Sequence, residues 1–166
     1  MGDQPDEITL ARVLREAGLL NPGGEVYRDR AKKQDEVGAF VDNLETVIKV
    51  MSRKRPITFL DCGCGRSYLS FAAAHRLRER GRPAHFIGVD SQPELIERCR
   101  RAAEVVGYDN IEFHAGEIID FRPSRPIDVL VSLHACDTAT DEALAKGLLV
   151  GARFLLVVPC CQHEIR

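Results

Sequence analysis

The stretch Ile57-Thr58-Phe59-Leu60-Asp61-Cys62-Gly63-Cys64-Gly65-Arg66-Ser67-Tyr68 decides the fold. Residues 57–61 read as a short, buried β-strand, because a brief apolar run bounded by glycines is the mark of a strand covered on both faces. A glycine loop follows, then a segment of helical pattern over about residues 67–80, closed by Gly81. Gly63 and Gly65 allow a sharp turn and let the backbone approach a ligand closely. The helix behind them points free N–H groups at that ligand.

Outward from this unit, strand and helix keep alternating. Residues 84–90 read as a second strand. The next helix is expected to start at a capping box of Ser91 and Glu94, with Pro93 in its first turn. Its core face is Leu95, Ile96, Cys99, Ala102, Ala103 and Val106, and Gly107 ends it. Residues 110–114 and 127–133 read as the third and fourth strands, and a helix over 139–149 leads to a fifth at 153–158. Ahead of the strands, Leu10, Val13, Leu14 and Ala17 recur at helical spacing up to Gly18, and Asn21-Pro22-Gly23-Gly24 reads as a turn. A longer helix over 31–51 carries the stripe Val37, Phe40, Val41, Leu44, Val47, Ile48 and Met51. The expected architecture is α/β: a Rossmann-like, doubly wound parallel sheet over residues 31–166, with an N-terminal helical extension over 1–30. In such sheets ligands bind beyond the C-terminal ends of the strands.

The 166 residues suit one core, and with 45% hydrophobic and 29% charged residues they exclude a disordered or collagen-like chain. No apolar run approaches the roughly 18 residues of a membrane span. The start, Met1 to Glu7, is acidic and polar, which leads to the expectation of a cytoplasmic protein with no membrane partner. A net charge of -2 gives no global basic field, although basic runs stand at residues 28–33, 53–55, 76–82 and 98–101. The cysteines are Cys62, Cys64, Cys99, Cys136, Cys160 and Cys161. Their spacing fits no common zinc template, so neither a disulfide framework nor a structural metal is expected.

The chemistry sits at the strand ends. Gly63 and Gly65 are not followed by a third glycine at position 68, which is Tyr, so the dinucleotide fingerprint is incomplete. Asp61 is poorly placed to cradle a pyrophosphate and better suited to a ligand with a positive centre. Asp90, at the second strand end, has the place and chemistry to grip both hydroxyls of an adenosine ribose. Ala115-Gly116-Glu117-Ile118 adds a third acid at a third strand end, where Glu117 can receive an exocyclic amine. S-adenosylmethionine carries a sulfonium and an ammonium and no phosphate.

On these residues the chain resembles class I S-adenosylmethionine-dependent methyltransferases over about residues 32–166. More narrowly, it is similar to the group with tRNA ribose methylases of the Trm-thirteen type and the methyltransferase part of glutathione-S-transferase C-terminal-domain-containing proteins. The narrower resemblance rests on Lys32-Lys33-Gln34-Asp35-Glu36-Val37, the 61–68 loop, His134-Ala135-Cys136-Asp137-Thr138-Ala139-Thr140-Asp141 and Pro159-Cys160-Cys161-Gln162-His163-Glu164. It implies S-adenosylmethionine as cofactor, with Asp61, Gly63 and Gly65 at its methionine end, Asp90 at the ribose and Glu117 beside the adenine. Lys33, Ile118 and Leu133 complete the expected cofactor-binding set. The chain departs from the family at Ser67, where a third glycine is usual, and in ending soon after the fifth strand, where the family continues into a last pair of strands.

His134, Asp137 and His163 fall on the fourth and fifth strand-end loops and are the candidate catalytic residues. A ribose hydroxyl acceptor benefits from a base, whereas a nitrogen nucleophile needs none. RNA, tRNA included, is the favoured methyl acceptor, with protein or a small molecule behind it. Three other readings stay open: a nonenzymatic cofactor-binding or scaffold domain, a nicotinamide-dependent oxidoreductase, and a metal module built on the cysteines. The fifth strand as an exposed edge leads to two expectations, self-association through it and weak catalysis with cofactor binding retained.

Overall fold

The computed structural model describes residues 9–133 and 138–158. His134, Asp137, His163, Cys136, Cys160 and Cys161 lie outside them. Helix α1 (Leu10–Glu16) starts at Thr9, whose hydroxyl accepts from the Arg12 N–H at 3.2 Å. A turn of 3-10 helix, Arg28–Arg30, runs straight into α2 (Ala31–Lys49). Then come β1 (Ile57–Cys62), α3 (Tyr68–Glu79), β2 (Ala84–Asp90), α4 (Pro93–Val106), β3 (Ile111–Ala115), β4 (Val129–Leu133), α5 (Thr138–Leu149) and β5 (Phe154–Val158).

The strands form one parallel sheet in the order β3-β2-β1-β4-β5. Chain order reverses between β1 and β4, so the crevice for a ligand opens above the C-terminal end of β1. β1 is buried along its whole length. Ile57 and Phe59 point to the face covered by α1 to α4, and Leu60 and Cys62 to the face covered by α5, the two-residue period that a central strand imposes. Phe59 stacks on its cross-strand neighbour Phe86 at 4.6 Å between ring centres.

The expected capping box at α4 does not form. Gln92 is the N-cap and makes no side-chain cap bond, while its N–H donates to Asp90 Oδ1 at 3.0 Å. The helix starts one residue later than a Ser91–Glu94 box requires, with the strand-end carboxylate of Asp90 holding the N–H of its N-cap. Pro93 occupies the first turn and Gly107 ends the helix in the left-handed region, φ 68, as expected. At the opposite end of the sheet, Asp128 receives two bonds from the Arg55 guanidinium (2.7 and 2.6 Å) and one from the Thr58 N–H (3.0 Å). Burial pushes the Asp128 pKa up, but Arg55 and Thr58 outweigh it and hold it below the ordinary carboxylate value. Among the described residues, no helix is long and apolar enough to cross a membrane.

Gly88 shows how closely the site is tied to the core. A Cβ there would stand 2.6 and 2.8 Å from ring carbons of Phe113 and 3.0 Å from Cys64 Sγ. Phe113 is fixed in the core and Cys64 belongs to the glycine loop. Gly88→Ala is therefore expected to cost about 1–3 kcal/mol by overpacking. Denaturant unfolding checks it; a loss below roughly 0.5 kcal/mol, ordinary for a surface substitution, would mean that Phe113 and the loop move aside freely.

Candidate functional site

Three strand-end loops meet at the end of β2. The N–H groups of Gly63 and Cys64 both donate to the Val89 carbonyl, at 2.9 and 3.0 Å, and the Gly116 N–H donates to the Asp90 carbonyl at 2.9 Å. The Gly65 N–H donates to Asp90 Oδ2 at 2.8 Å, and Oδ1 holds Gln92. A carboxylate has about four lone-pair sites, so each Asp90 oxygen keeps one for a ligand hydroxyl. Gly63 and Gly65 adopt φ 67 and 54, a region open to glycine at little cost. A Cβ on Gly65 would meet nothing within 4 Å, so the space above that loop is open.

Ser67 takes φ 57, the one non-glycine residue with positive φ among those described. That conformation accounts for the glycine usual there in the family it resembles. The Ser67 hydroxyl is buried without a hydrogen-bond partner among the described residues, directly ahead of α3.

The hollow above the loop has a volume of about 410 Å³ and is lined by Lys33, Asp61, Gly63, Gly65, Asp90 and Leu133, among others. A second hollow of about 240 Å³ shares Gly63, Asp90 and Gln92 with it and adds Gly116, Glu117 and Ile118. The two form one trough along the strand ends. It brings together all eight residues expected at the cofactor; the three candidate catalytic residues lie outside the described chain. The sequence reading missed Arg30, Arg66, Gln92 and Leu95 as wall residues. Arg66 and Gln92 were legible as neighbours of Gly65 and Asp90, whereas Arg30 arrives through the fold of the N-terminal segment. A larger depression, about 560 Å³, lies at the other end of the strands among Pro56, Leu77, Arg82 and Tyr108. It holds neither the glycine loop nor the strand-end acids.

Asp61 is the electrostatic centre of the trough. Its Oδ2 accepts from the Ser70 hydroxyl at 2.6 Å. Burial pushes its pKa up to about 6, against the Ser70 bond and with the help of Asp90, while Lys33 pulls it down. Burial likewise pushes the Cys62 and Cys99 thiols up to about 12 and Cys64 well above its ordinary value. These three thiols are protonated at neutral pH and are poor nucleophiles. No group of three metal-ligating side chains occurs among the described residues.

The donor set fits S-adenosylmethionine. A buried carboxylate short of positive partners suits its ammonium and sulfonium, and Asp90 retains lone pairs for the ribose. Lys33 lines the same hollow and would supply a cation for the cofactor's carboxylate. The trough is within the roughly 300–1,000 Å³ range of small-molecule sites.

Because the Asp61 pKa is raised in the folded chain, the folded state binds the extra proton between about pH 4 and 6. Stability from this residue is therefore lost as pH rises through that window, and the ionised carboxylate burdens the ligand-free fold at pH 7. Asp61→Asn, which can still accept from Ser70, is expected to stabilise the ligand-free chain by about 1–2 kcal/mol at pH 7. The same change should weaken S-adenosylhomocysteine binding at least tenfold. Paired denaturation and calorimetry check this; a variant that loses both stability and affinity would make Asp61 a structural residue.

Residues 32–166 match the family described as Methyltransferase domain. The uncharacterized methyltransferase YcgJ of Bacillus subtilis is 27% identical over 145 residues, which cover 83% of this chain and 53% of that protein. Its crystal structure aligns with a TM-score of 0.51 at 19% identity, over 75% of this chain and 50% of YcgJ. A tRNA:m(4)X modification enzyme of Eremothecium gossypii is 26% identical, over 95% of this chain and 44% of its own length. The citrinin polyketide synthase CMeT domain shares the fold with a TM-score of 0.59 at 16% identity, covering 73% of this chain and 34% of that one. The chain thus spans about half or less of the length of these relatives. With the glycine loop, the strand-end acids and the switch-point trough all inside the matched segment, the chain belongs to the Methyltransferase domain family, of the S-adenosylmethionine-dependent class.

Proposed function

We propose that this chain binds S-adenosylmethionine in the trough and directs its methyl group to an RNA acceptor. The observation that carries the cofactor half is Asp90, which holds two loops by their N–H groups while facing both hollows. When bound, the cofactor supplies an electrophilic methyl on a sulfonium. The chain's own residues bind and orient: Asp61 offsets positive charge, Asp90 takes the ribose, and Ile118 and Leu133 supply apolar walls. Methyl transfer is an in-line displacement, so this positioning is the main lever on rate.

The RNA half is supported by the tRNA-modifying relative and by two guanidinium side chains that line the hollow, Arg30 and Arg66. His134, Asp137 and His163 remain the candidates for a base at a hydroxyl acceptor. Self-association through β5, which pairs with β4 and has Leu148, Leu149 and Val158 exposed around it, belongs to the same proposal.

The test is calorimetry with S-adenosylhomocysteine and with NAD, followed by transfer of labelled methyl to total tRNA. S-adenosylhomocysteine is expected to bind and NAD not to, with label recovered in RNA. Tight binding of NAD alone would overturn the cofactor assignment; label recovered in protein and absent from RNA would overturn the acceptor.

A further inference from the structure

Gly18 ends the first helical segment at φ 84. Its carbonyl accepts from the Arg30 guanidinium and from the Tyr68 hydroxyl, the latter at 3.2 Å. A Cβ built on Gly18 would stand 3.1 Å from Nη1 of Arg66 and 3.9 Å from both Nη1 of Arg30 and Nη2 of Arg98. Three guanidinium groups, from the turn before α2, the loop before α3, and α4, therefore converge on one point beside the N-terminal segment. The three nitrogens lie within about a Debye length of one another at physiological salt, roughly 8 Å.

Among the described residues, the carboxylates near that corner balance the three guanidinium groups only in part. Arg30 has Asp29 at 3.6 Å, on an exposed side chain. Among the described residues, Arg66 and Arg98 have no carboxylate within ion-pair distance. Glu16 shares a shallow depression with both and pairs with neither. Like charges this close repel, and the repulsion is relieved by an anion with several oxygens. Guanidinium forks match such oxyanions two bonds at a time.

We infer that the corner formed by Arg30, Arg66 and Arg98 seats a backbone phosphate of the RNA acceptor. This rests on the proposed RNA substrate and adds where the strand is held. Arg30 and Arg66 also line the cofactor hollow, whereas Arg98 does not and is exposed. A phosphate on this corner lies beside the cofactor's methionine end, so the RNA is gripped at the same end of the sheet as the reaction. The N-terminal segment takes part directly, because the Gly18 carbonyl fixes Arg30 and the Tyr68 hydroxyl fixes that carbonyl.

The experiment uses the full chain, a fluorescently labelled single-stranded RNA oligonucleotide, and S-adenosylhomocysteine calorimetry on the same samples. Arg98→Ala, an exposed change on α4, is compared with Arg125→Ala, an equal loss of charge on the exposed segment before β4. Arg98→Ala is expected to weaken RNA binding about five- to tenfold and to lower the salt slope by about one phosphate contact. Arg125→Ala should stay within about twofold, and S-adenosylhomocysteine affinity should be unchanged in both. An equal effect of the two variants on RNA would overturn the inference and leave the proposed acceptor standing. Loss of S-adenosylhomocysteine affinity in Arg98→Ala would assign the corner to the cofactor instead. If the unaltered chain binds S-adenosylhomocysteine and no RNA at all, the RNA acceptor itself falls, and this corner with it.

Discussion

The end of β2 is where the molecule is held together for function. Val89 and Asp90 receive N–H groups from Gly63, Cys64, Gly65, Gln92 and Gly116, so the loops after β1, β2 and β3 share one anchor. A charged acceptor is worth about 1.5–3 kcal/mol per bond, enough to set loop geometry in a fold of ordinary marginal stability. The anchor is itself embedded, because β2 lies between β1 and β3 and Gly88 presses against Phe113. Core packing, loop conformation and ligand geometry are therefore one problem in this chain. A variant that disturbs Asp90 acts on the loops and the ligand together.

Two carboxylates at neighbouring strand ends are treated in opposite ways. Asp90 is satisfied by backbone donors. Asp61 is fully buried, has Ser70 as its hydrogen-bond donor, and is pushed toward neutrality by burial. A chain selected for stability alone would place an apolar or amide residue there. Keeping an acid at that depth makes sense if a cation arrives to complete it, and the cofactor brings two positive centres. The cost in the ligand-free state is the source of selectivity for a charged ligand over a neutral one, since the gain from pairing is realised only on binding.

Most of the fold was legible because its signals are local. The apolar run before Asp61, the glycines at 63, 65, 81 and 107, and the stripe from Val37 to Leu44 each report nearby chain geometry, and five strands emerged within one or two residues of their observed ends. What was not legible depends on contacts across the chain. Ser91 and Glu94 match a capping box, but Asp90, tied to the loop after β1 through the Gly65 N–H, also holds the Gln92 N–H, and the helix starts one residue later with Gln92 as its N-cap. The positive φ of Ser67 shows in the sequence only as a departure from the usual glycine. Arg30 and Arg98 are far apart in the sequence and meet because α1 packs on both α3 and α4. The basic runs at 28–33 and 98–101 stand apart in the sequence, and their convergence is a product of the tertiary fold.

The most direct test is a crystal structure of the chain grown with S-adenosylhomocysteine. The amino-acid end of the ligand is predicted to lie among Lys33, Asp61 and Gly65. Its two ribose hydroxyls should be within hydrogen-bond distance of the Asp90 carboxylate, which still holds the Gly65 and Gln92 N–H groups. A ligand bound away from the end of β1, or one whose ribose ignores Asp90, would contradict the assignment of this trough.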